Sequence, residues 1–160
     1  MADDLADDEP LPGTGLVNAV FVGTGILVGT SVAAAASPDH FQTLHAVYAG
    51  VLFAIGTGAM LWAYALGVSR SRTDEVDVLG LFFLAGDVAP LDVRRPLRIA
   101  LAVQIVAVVA AASIHPFTPV AFGVLAPMFG LGMMGGWGGR YGSFPPKVTP
   151  TKAVATEDEP

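Results

Sequence analysis

Three stretches of this chain carry no charged residue at all: 10–38, 40–69 and 99–139, which are 29, 30 and 41 residues long. About 20 helical residues cross the roughly 30 Å hydrocarbon core of a bilayer, and charge-free apolar runs of about 18 or more mark such spans. A water-soluble domain has no reason to segregate its charges. Here the 8 basic and 14 acidic residues are segregated almost completely, with five in 1–9, ten in 70–98, six in 140–160 and Asp39 alone in between. Charged residues make up 14% of the chain, against about a quarter in ordinary soluble domains. The expected fold class is all-α, an integral membrane four-helix bundle.

Composition removes several function classes. With no cysteine there are no disulfides, thiol nucleophiles, iron–sulfur clusters or thiolate metal sites. Eight basic residues and a net charge of −6 leave no basic stripe for nucleic acid. The first ten residues, Met-Ala-Asp-Asp-Leu-Ala-Asp-Asp-Glu-Pro, are the reverse of a basic signal-peptide leader. The first apolar segment is therefore expected to remain as a membrane helix.

Breakers place the spans. Pro10, Pro12, Gly13 and Gly15 close an acidic tail, 1–15, and the transmembrane domain is expected over 16–137. Its first span covers 16–36. Ser37-Pro38-Asp39 reads as N-cap, first-turn proline and first-turn acid, opening a second span over 40–68. The third is expected over 97–114, beginning just after Pro96. The turn His115-Pro116-Phe117-Thr118-Pro119 leads into a fourth over 120–137, where Gly135, Gly136, Gly138 and Gly139 are expected to dissolve the helix. Spans three and four are short enough that a re-entrant hairpin is the alternative there. Residues 69–96 form a loop and 138–160 a Gly/Pro-rich tail, low in apolar content and expected to be extended.

With four spans, both tails and loop 69–96 share one face. That face holds all eight basic residues, and the turns on the other face hold none. The positive-inside rule then puts both termini in the cytoplasm of a multi-pass plasma (inner) membrane protein. Trp62, Tyr64, Trp137 and Tyr141 are expected at the inner interface, and Phe41, Tyr48 and Phe117 at the outer one. Within the loop, Val76–Leu84 is apolar yet too short to span. It either lies on the inner leaflet or docks on a partner.

Small residues give the strongest positive signal. Span one has Gly25 and Gly29 four apart, span two has Gly50, Ala54 and Gly58, and span four has Gly130, Gly132, Gly135 and Gly136. Such stripes let helix backbones approach closely, where dispersion and weak polar contacts act without a hydrophobic drive. They exceed what a four-helix bundle needs for itself, so Gly25, Gly29, Gly50, Ala54, Gly58, Gly130, Gly132 and Gly136 are candidates for internal packing and for a partner interface.

Other residues could carry chemistry. His40, His45 and His115 all fall at the outer end. His40 and His45 are five apart and do not share a helix face, but His45 and His115 could face each other across spans two and three as haem ligands. Against that stands a role as polar residues at the lipid–water boundary. Asn18 and Gln104 could line a polar path, or serve as single interhelical hydrogen-bond formers. Pro127 is expected to kink span four, and Met128, Met133 and Met134 read as packing residues rather than copper ligands. No ionisable residue lies deep in a span, which disfavours an ion-coupled carrier. No catalytic set, phosphate loop or metal-ligand cluster is present in the pattern.

The stretch Leu125–Pro146, together with Ala89–Arg98, resembles the corresponding parts of small actinobacterial four-helix membrane proteins. One setting for such proteins is as accessory subunits of the cytochrome bcc–oxidase respiratory supercomplex. The likeness covers about the last 70 residues and transfers no functional residue. It implies a non-catalytic subunit among integral membrane partners in the lipid bilayer, with no cofactor of its own and with haem and copper in partner subunits. A small oligomeric channel or permease, and a haem- or metal-binding protein, are the alternative expectations.

Overall fold

The computed structural model describes residues 12–147. They form five α-helices: α1 Thr14–Ala36, α2 Pro38–Arg70, α3 Val78–Phe83, α4 Leu91–Ile114 and α5 Met128–Tyr141, with a 3-10 segment, Pro119–Leu125, leading into α5. No strand occurs among the described residues, only an isolated bridge between Asp74 and Pro146. Among the described residues, four segments are long and apolar enough to cross a membrane: α1, α2, α4, and the 3-10 segment with α5.

The helices begin and end within six residues of the expected spans, and the larger offsets have local causes. Ser37 does stand as N-cap with Pro38 and Asp39 in the first turn of α2, although its side chain makes no capping bond. At 33 residues, α2 is about 50 Å long, so part of it lies beyond any hydrocarbon core. The third helix starts at Leu91 rather than Leu97 and runs through Pro96. Pro96, the sixth residue of α4, has no N–H to give the Asp92 carbonyl, and this one lost bond lies near a helix end where solvent can replace it.

Span four differs most. Its first part is 3-10 helix, opened by Thr118, whose hydroxyl accepts from Val120 N–H. Pro127 sits at the junction, as N-cap of α5, instead of kinking a continuous helix. Beyond it the glycines do not dissolve the helix, which continues to Tyr141. A Cβ on Gly138 would stand 2.5 Å from the Leu81 carbonyl oxygen, and one on Gly135 would stand 2.5 Å from the Phe82 ring. Close tertiary packing over bare backbone thus overrides the roughly 1 kcal/mol per-residue helix penalty of glycine.

α5 is the hub of the bundle. It packs along α2 and over α3, while α1 packs on α4 and α2, and the 3-10 segment sits between α2 and α4. The main core joins Val20, Leu27, Leu52, Leu97, Phe129, Met134 and Trp137. α2 and α5 cross where Gly56 meets Gly132. A Cβ on Gly132 would lie 2.1 Å from the Gly56 carbonyl oxygen, and one on Gly56 would lie 2.4 Å from Met128 C and Phe129 N. Only hydrogen fits on either side.

The end holding the described arginines is closed by the chain itself. Asp77 caps α3 by accepting from Gly80 N–H, and Gly80, Leu81 and Phe82 are buried. Leu84, in the left-handed region at φ 52°, ends α3 with its side chain fully buried. Glu75 N–H donates to the Pro145 carbonyl, Lys147 N–H to Thr73 and Ser143 N–H to Val88, so 142–147 lies extended along the loop. Arg70 donates to the Gly139 carbonyl at 3.1 Å, pairs with Asp74 and lies over the Phe144 ring. Loop 73–93 therefore docks on its own bundle through Leu81, Phe82, Leu84 and Val88, and turns Val78, Leu79 and Phe83 outward.

Candidate functional site

The small-residue set divides into two groups. Gly130, Gly132 and Gly136 are buried in α5 against the chain's own helices: Gly130 faces Gln104, Gly132 faces Gly56 and Gly136 meets Trp62 at ordinary contact distance. Gly25, Gly29, Gly50, Ala54 and Gly58 are exposed. A Cβ on any of the four glycines among them would meet nothing within 4 Å. Two shallow backbone tracks, one on α1 and one on α2, therefore lie open on the apolar surface. The inward track of α2 is instead His45, Ala49, Leu52, Gly56, Ala63 and Gly67. Gly56 and Gly123 have no small residue four positions away, and Gly67, four from Ala63, lies outside the stripes singled out from the sequence; their steps of three, four and seven from other apolar positions were the available signal.

Inside, α1 carries a polar seam. The Gln104 amide donates to Thr24 Oγ1 at 2.7 Å, and Thr24 donates to the Val20 carbonyl at 2.7 Å. Gln104 Oε1 is buried without a partner among the described residues. Tyr48 donates to the Gly23 carbonyl at 3.1 Å. Asn18 is exposed on α1, on the same helical stripe as Gly25 and Gly29. The two amides thus occupy opposite sides of the bundle wall and share no path through it.

The histidines have three separate settings. His40 is exposed. His45 is completely buried, with Nδ1 3.3 Å from Thr30 Oγ1. That hydroxyl also donates to the Leu27 carbonyl. Nε2 faces Gly123, where a Cβ would come within 2.4 Å of it. An iron on Nε2 would have to displace the 3-10 segment, so a haem does not fit between these residues as they stand. His115 Nε2 donates to the Ala35 carbonyl at 3.1 Å, closing the C-terminal end of α1. No group of three or more His, Cys, Asp or Glu residues capable of holding a metal occurs among the described residues.

Of the aromatic residues expected at the two interfaces, Trp62, Tyr64, Tyr141, Phe41 and Phe117 are exposed and Tyr48 is half-buried. Trp137 is the exception: it is buried, with Nε1 donating to the Pro12 carbonyl at 3.0 Å. Gly13, at φ 78°, turns the chain beneath that indole. Arg98 also departs from simple snorkelling. Its Nε and Nη2 donate to the carbonyls of Phe83 at 2.8 Å and Leu84 at 3.2 Å, and so close the end of α3.

The chain matches no protein-family model, and neither curated proteins nor solved structures provide a match.

Proposed function

We propose that this protein is a non-catalytic packing subunit of a larger membrane assembly. The observation that carries this reading is the pair of open backbone tracks, Gly25/Gly29 on α1 and Gly50/Ala54/Gly58 on α2. Helix association in lipid depends on close packing rather than on apolar area, and small residues supply it by letting backbones approach. The bundle satisfies its own packing with a different set, Gly56, Gly130, Gly132, Gly135 and Gly138. The outward set is left for a helix of another chain.

Positive-inside counting places the basic end and both termini in the cytoplasm of the plasma membrane. The resemblance of Leu125–Pro146 and Ala89–Arg98 makes a respiratory, cytochrome bcc–oxidase assembly the first partner to look for, with haem and copper belonging to that partner.

The test is gentle detergent extraction of tagged protein from native membranes, followed by mass spectrometry and a visible spectrum of the eluate. Co-purifying membrane subunits with haem bands support the reading. Gly50→Leu with Gly58→Leu should release them while leaving the fold intact, because both positions are open. Unchanged co-purification of that variant, or a lone colourless oligomer from wild type, counts against it; the lone oligomer would favour the channel or permease reading.

A further inference from the structure

α4 and α5 touch only sparsely, because the 3-10 segment and Pro127 start α5 away from α4. The gap is an apolar groove of about 340 Å³, lined by Phe83, Leu101, Ile105, Pro127, Met128 and Leu131. That volume falls within the roughly 300–1,000 Å³ range of small-ligand sites. The groove opens sideways, toward the surface that a bilayer would cover.

Its basic end is defined chemically. Phe83 forms that end, and Arg98 holds the Phe83 and Leu84 carbonyls. One turn earlier, Arg94 Nη1 donates to the Gly86 carbonyl. Arg94, Arg98, Leu101 and Ile105 follow steps of four, three and four, which puts them on one face of α4. Among the described residues neither guanidinium has a carboxylate within 4.0 Å, the ion pair there being Arg70–Asp74. A guanidinium has five N–H donors. Arg98 commits two of them to these carbonyls and Arg94 one. Two guanidiniums without an ion pair and with spare donors thus follow, along α4, the Phe83 end of a hydrocarbon-lined groove.

The geometry points to an anionic phospholipid of the leaflet at the basic end, with one acyl chain in the groove and its phosphate on Arg98 and Arg94. Basic pockets between membrane helices recognise acidic headgroups in this way, and guanidinium binds phosphate through paired, charge-assisted hydrogen bonds. Charge complementarity distinguishes this occupant from an ordinary boundary lipid, which would take any apolar face without regard to headgroup.

The test is native mass spectrometry of the full-length, delipidated protein titrated with phosphatidylglycerol or phosphatidylcholine of identical chains. Wild type should prefer phosphatidylglycerol by about fivefold per arginine. Arg94→Gln should lose part of that preference, and Arg94→Gln with Arg98→Gln nearly all of it. Ile105→Trp, a change at a half-exposed position that fills the groove, should reduce binding of both lipids. Arg140→Gln, at an exposed arginine outside the groove, should leave the preference unchanged. Should the double variant fail to fold, Arg94→Gln and Ile105→Trp decide the matter. Equal affinity for both lipids in wild type, or a preference undiminished by Arg94→Gln together with lipid binding undiminished by Ile105→Trp, overturns the assignment.

Discussion

Alanine at Gly132 on α5 and alanine at Gly58 on α2 are the same chemical change on opposite sides of the packing, and they should behave oppositely. At Gly132 the new Cβ would be 2.1 Å from the Gly56 carbonyl oxygen, whereas ordinary contact begins near 3.4 Å. α2 and α5 must therefore separate locally by about 1 Å, and the obstacle is backbone, which has no rotamer to yield. A gap of 0.5–1 Å already forfeits roughly a quarter to a half of each dispersion contact along a seam. In lipid no hydrophobic drive offsets that loss. Overpacking costs typically 1–3 kcal/mol, and a backbone-on-backbone clash at the central crossing belongs at the top of that range, about 3 kcal/mol. At Gly58 the Cβ meets nothing within 4 Å, so the cost to the isolated chain is about zero, and a helix-propensity gain of up to about 1 kcal/mol is available. Reversible unfolding in mixed micelles can measure both. Fluorescence of the buried Trp137 would report the transition in a background where the exposed Trp62 is phenylalanine. Wild-type stability for Gly132→Ala, or equal losses for the two variants, would refute the division of glycines into inward and outward sets.

Two further outcomes follow from the closed basic end and the orientation. Replacing Arg70 with Gln removes the Phe144 ring contact and weakens the hold on Gly139 and Asp74; hydrogen exchange at the Glu75 and Lys147 amides should accelerate several-fold, at a stability cost of about 1–2 kcal/mol, while unchanged protection would show that the loop holds the tail unaided. Because the chain has no cysteine, a single introduced thiol is unique: Phe117→Cys should react with a membrane-impermeant maleimide on intact cells and Thr73→Cys only after lysis, and the reverse pattern would invert the positive-inside assignment.

The four spans were legible because charge segregation and breakers act through the bilayer, a solvent the sequence must answer residue by residue. The N-terminal start of α2 at Ser37-Pro38-Asp39 was legible for a similarly local reason. What escaped was decided between segments. Gly135, Gly136, Gly138 and Gly139 read as a helix terminator when taken alone, yet they continue α5 because Leu81, Phe82, Ala63 and Leu66 press against them. Trp137 reads as an interfacial belt residue until Pro12 and Gly13 are folded under it. The small-residue stripes were found, but their direction was not. Spacing fixes which residues share a helix face, and only the packed bundle fixes whether that face looks in or out. Loop 73–93 was placed on either a membrane or a partner; its own chain takes Leu81, Phe82 and Leu84, while Val78, Leu79 and Phe83 remain outside.

Gln104 shows how one buried amide can be separated into a hydrogen bond and an obstacle. Its Nε2 bond to Thr24 is good, but its Oε1 is unpaired and presses on α5, so that a Cβ at Gly130 would stand 2.7 Å from it. Interhelical side-chain hydrogen bonds in membranes contribute about 0.6 kcal/mol on average, so Gln104→Ala should lose little beyond the packing of the removed atoms. Gly130→Ala should cost about 1–3 kcal/mol because the amide has to move. In the Gln104→Ala background that obstacle is absent, although Leu101, 3.1 Å away, still limits the space. Most of the Gly130→Ala penalty should then vanish, which is a coupling within the 0.5–3 kcal/mol found for residues in contact. Additive penalties in this cycle would mean that Gly130 is required for another reason, such as a tighter α4–α5 approach, and that reason would also narrow the groove assigned to lipid.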